Sequence, residues 1–197
     1  GAGMENIDVE YAESHGIACI RAAEGNKDSV ADHVLGMILS LFKKLHIANS
    51  EVKRGLWHRE SNRGVELTGK TFGIIGCGFT GGEVAKRLSG FDVTVLGYDK
   101  YKTGFSDKNI IESTMERIYE EADIVSLHLP LTDETHFMVN DEFFSRFKKN
   151  IYLINTSRGK VVSTEDLVAN LKSGKVLGTC LDVLEYESAS FERLKGL

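Results

Sequence analysis

Three glycines, Gly76, Gly78 and Gly81, stand in the spacing G-x-G-x-x-G directly after the apolar run from Phe72 to Ile75. A helical pattern follows, then a second apolar run, and Asp99 comes 18 residues beyond Gly81. In a strand–turn–helix unit each glycine has its own task. Gly76 permits the tight turn, Gly78 lets the backbone approach a pyrophosphate, and Gly81 lets helix and strand pack closely. The helix N-terminus adds unpaired N–H groups and a partial positive charge, which suit phosphate. A carboxylate at Asp99 would accept hydrogen bonds from a ribose diol and repel a 2′-phosphate, so the expected ligand is NAD rather than NADP.

More chemistry-bearing residues recur at the ends of later apolar runs. These are His128-Leu129-Pro130, then Asn155-Thr156-Ser157-Arg158-Gly159, then Asp182 with Glu185 and Glu187 just beyond. The runs are expected strands at Phe72 to Ile75, Asp92 to Tyr98, Asp123 to Leu129, Ile151 to Asn155 and Val176 to Val183. Between them fall expected helices at Ser113 to Glu121, Asp141 to Phe147 and Thr164 to Lys172. Such alternation predicts an α/β fold, a doubly wound parallel sheet with ligands at the carboxyl ends of its strands. All the residues above then share one edge, where a sheet built only for stability needs no arginine and no cluster of acids.

Before the glycine motif, residues Gly1 to about Gly25 read as a turn, a short helix near Val9 to Ser14 and a strand at Gly16 to Ile20. One strand cannot bury its faces, so this unit is expected to be the tail of another α/β domain. Asp28 to about Arg54 reads as one long helix, capped by Asp28 or Ser29, with Val30, Val34, Met37, Ile38, Leu41 and Leu45 at helical spacing. Leu35, Leu39 and Phe42 add a second apolar face, which suggests cover on two sides, from another domain or from a second subunit.

Bulk properties narrow the function classes. A chain of 197 residues with 42% hydrophobic and 27% charged content is an ordinary globular composition. The net charge of −5 offers no basic footprint for nucleic acid or an anionic membrane. Cys19, Cys77 and Cys180 lie far apart within apolar runs and read as reduced core thiols of a cytoplasmic protein, with no disulfide frame and no metal site. The first residue is not methionine, and both ends read as cuts within a longer protein.

Taken together, GAGMENID, GNKDSVADHVLGMIL, GLWHRE, ELTGKTFGIIGCGFTGGEVAKRL, LHLPLTDETH, INTSRGKVV and GTCLDVLEYE give the chain its resemblance. It resembles the D-isomer-specific 2-hydroxyacid dehydrogenases over nearly its whole length. The resemblance implies a Rossmann-type NAD-binding domain over residues 26–197, preceded at 1–25 by a remnant of a flavodoxin-like substrate domain. It also implies hydride transfer between NAD(H) and a small 2-hydroxyacid or 2-oxoacid, and a homodimer.

Site roles follow from the same resemblance. Arg158 matches the arginine that grips the substrate carboxylate and polarises the keto oxygen, and Glu187 the acid that pairs with a catalytic histidine. Asp182 matches the residue that holds the nicotinamide carboxamide. Phe79 and Thr80, with Gly76, Gly78, Gly81, Asp99, Pro130, Thr156, Ser157 and Arg158, match cofactor contacts. Ala2 and Gly3 match a loop whose backbone N–H groups bind the substrate carboxylate. The family's proton-donating histidine follows a further strand, in a Pro-His pair. The histidines here, His15, His33, His46, His58, His128 and His136, all precede Glu187. His33 and His46 read as helix-surface or packing residues. This stretch is therefore expected to bind NAD without full activity. The alternative is an NAD-sensing, corepressor-like binding protein on the same scaffold. Formate dehydrogenases are similar but carry glutamine where Glu187 stands, which argues against formate.

Overall fold

The apolar runs become one sheet. In the computed structural model, which describes residues 3–4 and 7–186, the strands are β1 (Thr71–Ile75), β2 (Thr94–Tyr98), β3 (Ile111–Glu112), β4 (Ile124–Leu127), β5 (Ile151–Asn155) and β6 (Val176–Leu181). The helices are α1 (Val9–Ser14), α2 (Lys27–Phe42), α3 (Leu45–Lys53), α4 (Phe79–Leu88), α5 (Met115–Glu121), α6 (Asp141–Ser145) and α7 (Thr164–Ser173). All six strands pair in parallel, in the order β3-β2-β1-β4-β5-β6. The chain runs outward from β1 to β3, then crosses back to β4 on the other side of β1. That reversal opens a crevice at the carboxyl ends of β1 and β4.

Both faces of the sheet are buried, as parallel strands require. One face carries Ile75, Val125, Leu127 and Leu153 against Ile118 of α5, Phe143 and Phe144 of α6, and Leu167 of α7. The other carries Phe72, Ile74, Ile124 and Ile154 against Val34 and Ile38 of α2 and Val84 and Leu88 of α4. Arg87 of α4 ties the second layer together. Its Nε donates to Asp32 at 2.7 Å, its Nη2 to Asp28 at 3.0 Å, and its Nη1 to the buried Glu83.

The five expected strands appear with ends within two residues of the expected ones. β3 is an addition, paired only through Leu96↔Ile111 and Gly97↔Glu112 and too short to leave a pattern.

Two expectations before the glycine motif fail. Gly16 to Ile20 is not a strand: among the described residues no strand lies beside it, and Ile17 and Ile20 are exposed. The long helix over 28–54 is two helices, α2 and α3, with Lys44 between them in the left-handed region at φ 50°. A non-local contact accounts for the break. The Phe42 carbonyl accepts from Val65 N at 2.9 Å, and Lys44 Nζ donates to the Ser61 carbonyl at 2.6 Å, so the returning loop docks where the helix would continue. The expected cap also differs. Asn26 holds the cap position without a side-chain bond, and Asp28 lies in the first turn, paired with Arg87.

Gly73, in the central strand, lets α5 lie close. A Cβ there would stand 2.7 Å from Ile118 Cγ2 and 3.4 Å from Ala122 Cβ, and both of those residues are fully buried. Gly73→Ala is expected to lower stability by about 1–3 kcal/mol through overpacking. Urea denaturation would register this as an earlier midpoint with an unchanged slope.

Candidate active site at the carboxyl edge of the sheet

Strand register sets the site. Ile75 pairs with Tyr98 on one side and with Leu127 on the other; Leu127 pairs with Asn155, and Asn155 with Leu181. The next residue of each strand is therefore Gly76, Asp99, His128, Thr156 and Asp182. Backbone bonds hold this row: Gly76 N donates to Tyr98 O at 2.9 Å, His128 N to Ile75 O at 2.8 Å, and Asp182 N to Asn155 O at 3.0 Å.

The glycine turn has the expected geometry. Gly76 sits at φ 95°, and a Cβ on it would lie 2.3 Å from the His128 carbonyl oxygen. A Cβ on Gly81 would lie 2.1 Å from Gly76 O, so Gly81 sets how closely α4 approaches β1. Gly78, the cap of α4, has open space where its Cβ would be. The first N–H groups of α4, at Phe79, Thr80 and Gly81, have no acceptor within the helix. Phe79 is 57% exposed beside them.

Asp99 does more than end a strand. Its Oδ2 accepts from Cys77 N at 2.9 Å, inside the glycine motif, and its Oδ1 from Tyr101 N at 2.9 Å. Lys102 Nζ adds a bond to the Cys77 carbonyl at 3.2 Å. The Cys77 thiol is buried, and burial, reinforced by Asp99, pushes it up to about 12, so it stays protonated and inert. Burial likewise pushes Cys180 up to about 11. Cys19, expected in a core, is only partly covered.

A cavity of about 640 Å3 opens beside the turn and brings together Gly76, Gly78, Asp99 and Pro130. Its walls also include Lys100, Tyr101 and Glu134, which sequence reasoning missed. Lys100 and Tyr101 directly follow Asp99, and that adjacency was a usable signal. Glu134, 34 residues beyond Lys100, gave none. Thr156, Ser157, Arg158 and Asp182 lie further along the same edge and do not line the cavity.

Around Arg158 the backbone is held by neighbours. Asn155 Nδ2 donates to the Arg158 carbonyl at 3.0 Å, while Asn155 Oδ1 accepts from Ser157 N at 3.0 Å and Ser157 Oγ at 2.7 Å. Arg158 Nη1 donates to the Ser157 carbonyl at 2.7 Å. Among the described residues Thr156 Oγ1 is buried without a hydrogen-bond partner, so it is open to a donor or acceptor from outside them. His33, expected as a surface or packing residue of the helix, reaches Asp182, with Nε2 3.3 Å from Oδ1. Glu185 Oε2 accepts from Thr164 N at 3.0 Å at the start of α7. Glu187 and Ala2 lie outside the described residues, and Gly3 is exposed.

Comparisons with known proteins agree with this fold. A family model described as "D-isomer specific 2-hydroxyacid dehydrogenase, NAD binding domain" matches residues 35–195. The chain belongs to this family. Among its curated relatives, D-3-phosphoglycerate dehydrogenase of Bacillus subtilis is 41% identical over 189 residues, covering 95% of this chain and 36% of the relative. Glyoxylate reductase of Thermofilum pendens is 39% identical over 192 residues, covering 94% of this chain and 57% of that protein. Among solved structures, a D-lactate dehydrogenase from Aquifex aeolicus complexed with NAD and lactic acid superposes with a TM-score of 0.86. It is 36% identical, over 99% of this chain and 59% of that one. The chain therefore spans between about a third and three-fifths of the length of these dehydrogenases. As in the family, the nucleotide-binding unit is of Rossmann type and binds NAD. The open space over Gly78, the free first turn of α4 and the orphaned Thr156 hydroxyl fit that cofactor.

His128 sits in this row yet is a poor proton donor. Its Nε2 lies 2.9 Å from Ser126 Oγ, and burial lowers its pKa from 6.5 to about 4. A depressed folded pKa means that the unfolded chain binds the proton more readily across this range. The histidine's contribution is whole above pH 6.5 and is lost as pH falls toward 4. Denaturation series at several pH values should therefore show the stability difference between wild type and His128→Gln shifting by up to about 3 kcal/mol across that window, against the wild type at low pH. A difference that stays constant with pH would place His128 in solvent.

Proposed function

We propose that the chain is the nucleotide-binding part of an NAD-dependent oxidoreductase acting on a 2-hydroxyacid/2-oxoacid pair. The observation that carries this reading is the single row Gly76, Asp99, Thr156 and Asp182 at the carboxyl edge, with Arg158 two residues past Thr156, in a chain of this family. When bound, the nicotinamide cofactor supplies the hydride chemistry. The chain's residues supply position and charge. The α4 N-terminus and Gly78 receive the pyrophosphate, Asp99 faces the ribose, Pro130 and Thr156 to Arg158 flank the cofactor, and Asp182 holds the carboxamide, steadied by His33.

On the substrate side, the planar fork of Arg158 suits a carboxylate and an adjacent keto oxygen. Backbone N–H groups at Ala2 and Gly3 would also bind the carboxylate. Glu187 would orient a histidine and raise its pKa. None of the six histidines in these 197 residues is assigned that part, so the reading takes it from a segment outside them. Residues 1–25 are then the edge of the substrate domain and 26–197 the NAD-binding domain. The exposed Leu45, Ile47, Val52, Leu56 and Trp57 on and after α3 support a homodimer. Buried, protonated thiols at Cys77 and Cys180 suit the cytoplasm.

NADH oxidation measured with hydroxypyruvate, glyoxylate and pyruvate tests the reading. Residues 1–197 should bind NADH with little or no turnover, and full activity from them alone would overturn the assignment of the proton donor. In the whole enzyme, Arg158→Gln should lower kcat/KM at least tens-fold, since a charge-assisted hydrogen bond contributes about 1.5–3 kcal/mol and tightens in the transition state. An unchanged kcat/KM would remove Arg158 from the substrate site.

A further inference from the structure

The rim of the cavity carries a charge arrangement that the glycine motif does not call for. Lys100 and Tyr101 leave the end of β2 beside Asp99, and Glu134 faces them from the loop after β4. One oxygen, Glu134 Oε2, accepts from Lys100 Nζ at 2.7 Å and from the Tyr101 hydroxyl at 2.7 Å. The loop that presents Glu134 is itself pinned: Thr135 Oγ1 donates to the Pro130 carbonyl at 2.7 Å, and Thr132 N donates to Thr135 Oγ1 at 2.8 Å. Lys100, and then Tyr101, hold the Glu134 carboxyl below the usual carboxylate range, and Glu134 in turn raises Lys100. An exposed pair of this kind adds little to stability. Its importance lies in its position.

Asp99 spends both carboxylate oxygens on backbone N–H groups, so its negative charge is fixed at the ribose end of the cavity. A 2′-phosphate arriving there needs a cation to offset that charge, as in NADP sites that place a basic side chain nearby. Of the basic side chains nearby, Lys102 is bonded to the Cys77 carbonyl and Arg146 lies over the Tyr119 ring, which leaves Lys100, next in sequence and on the same wall. Glu134 already occupies it.

We propose that Glu134 is a specificity-determining residue for the coenzyme: by holding Lys100 across the cavity mouth, it withholds the counter-charge that a 2′-phosphate would require. Asp99 repels the phosphate directly, and Glu134 removes its remedy. The inference rests on the placement of the ribose at Asp99 given under the proposed function.

Dissociation constants for NADH and NADPH, from cofactor fluorescence titrations of the purified protein, test it. In Glu134→Gln the affinity for NADPH relative to NADH should rise about tenfold, as expected for one additional charge-assisted hydrogen bond to the phosphate. Lys100→Ala should give no rise, and the double variant should return to within about twofold of Lys100→Ala. Tyr101→Phe, which leaves the ion pair in place, should leave the ratio near that of wild type. If Glu134→Gln leaves the ratio unchanged while wild type binds NADH, the proposal fails and the NAD reading stands. If the rise persists in the double variant, Lys100 is not the counter-charge and the proposal fails in that form. If wild type binds neither cofactor, the ribose placement falls and the proposal falls with it.

Discussion

The parallel ladder depends on β1 being held in register by two neighbours at once. Ile75 meets Tyr98 on one side and Leu127 on the other, and the strands beyond keep the same row through Asn155 to Leu181. Because a shift of one residue turns every side chain to the opposite face, two buried faces fix that row strongly. The site residues are one step further along, so packing inside the sheet decides where the glycine turn, Asp99, Thr156 and Asp182 stand. The glycines then meet constraints that the row creates. Gly76 must leave room for the His128 carbonyl because β4 ends beside it, and Gly81 must leave room for Gly76 O because α4 starts there.

Much of this was legible in the residues. The strands announced themselves as short apolar runs, and the expected tasks of Gly76 and Gly81 have direct steric counterparts. What stayed hidden was set by contacts distant in sequence. Nothing in Phe42-Lys43-Lys44 says that a helix must stop there; the break comes from Val65 and Ser61 taking up and offering backbone groups at the joint. The strand expected at Gly16 to Ile20 had suitable residues and, among the described residues, no neighbour to pair with. At the site, Asp99 was read as facing a ligand, and its second task, gripping Cys77 N, could not be seen without the turn folded beside it. His128, in the LHLP motif, is kept neutral near neutral pH by burial, an effect of the folded surroundings that its place in the motif does not announce.

α2 and α4 link the two ends of the site. Arg87 of α4 spans Asp28 and Asp32, one turn apart on α2. The N-terminus of α4 faces the turn at Gly78, and His33 of α2 touches Asp182 at the far strand end. A rotation of either helix would move groups at both ends of the edge together.

Trp57 is the chain's single tryptophan, and it stands 81% exposed on the loop that follows α3, outside the cavity walls. Its emission therefore samples water and whatever surface comes to rest on that loop. In spectroscopic terms the indole is a built-in reporter of cover over the α3 face.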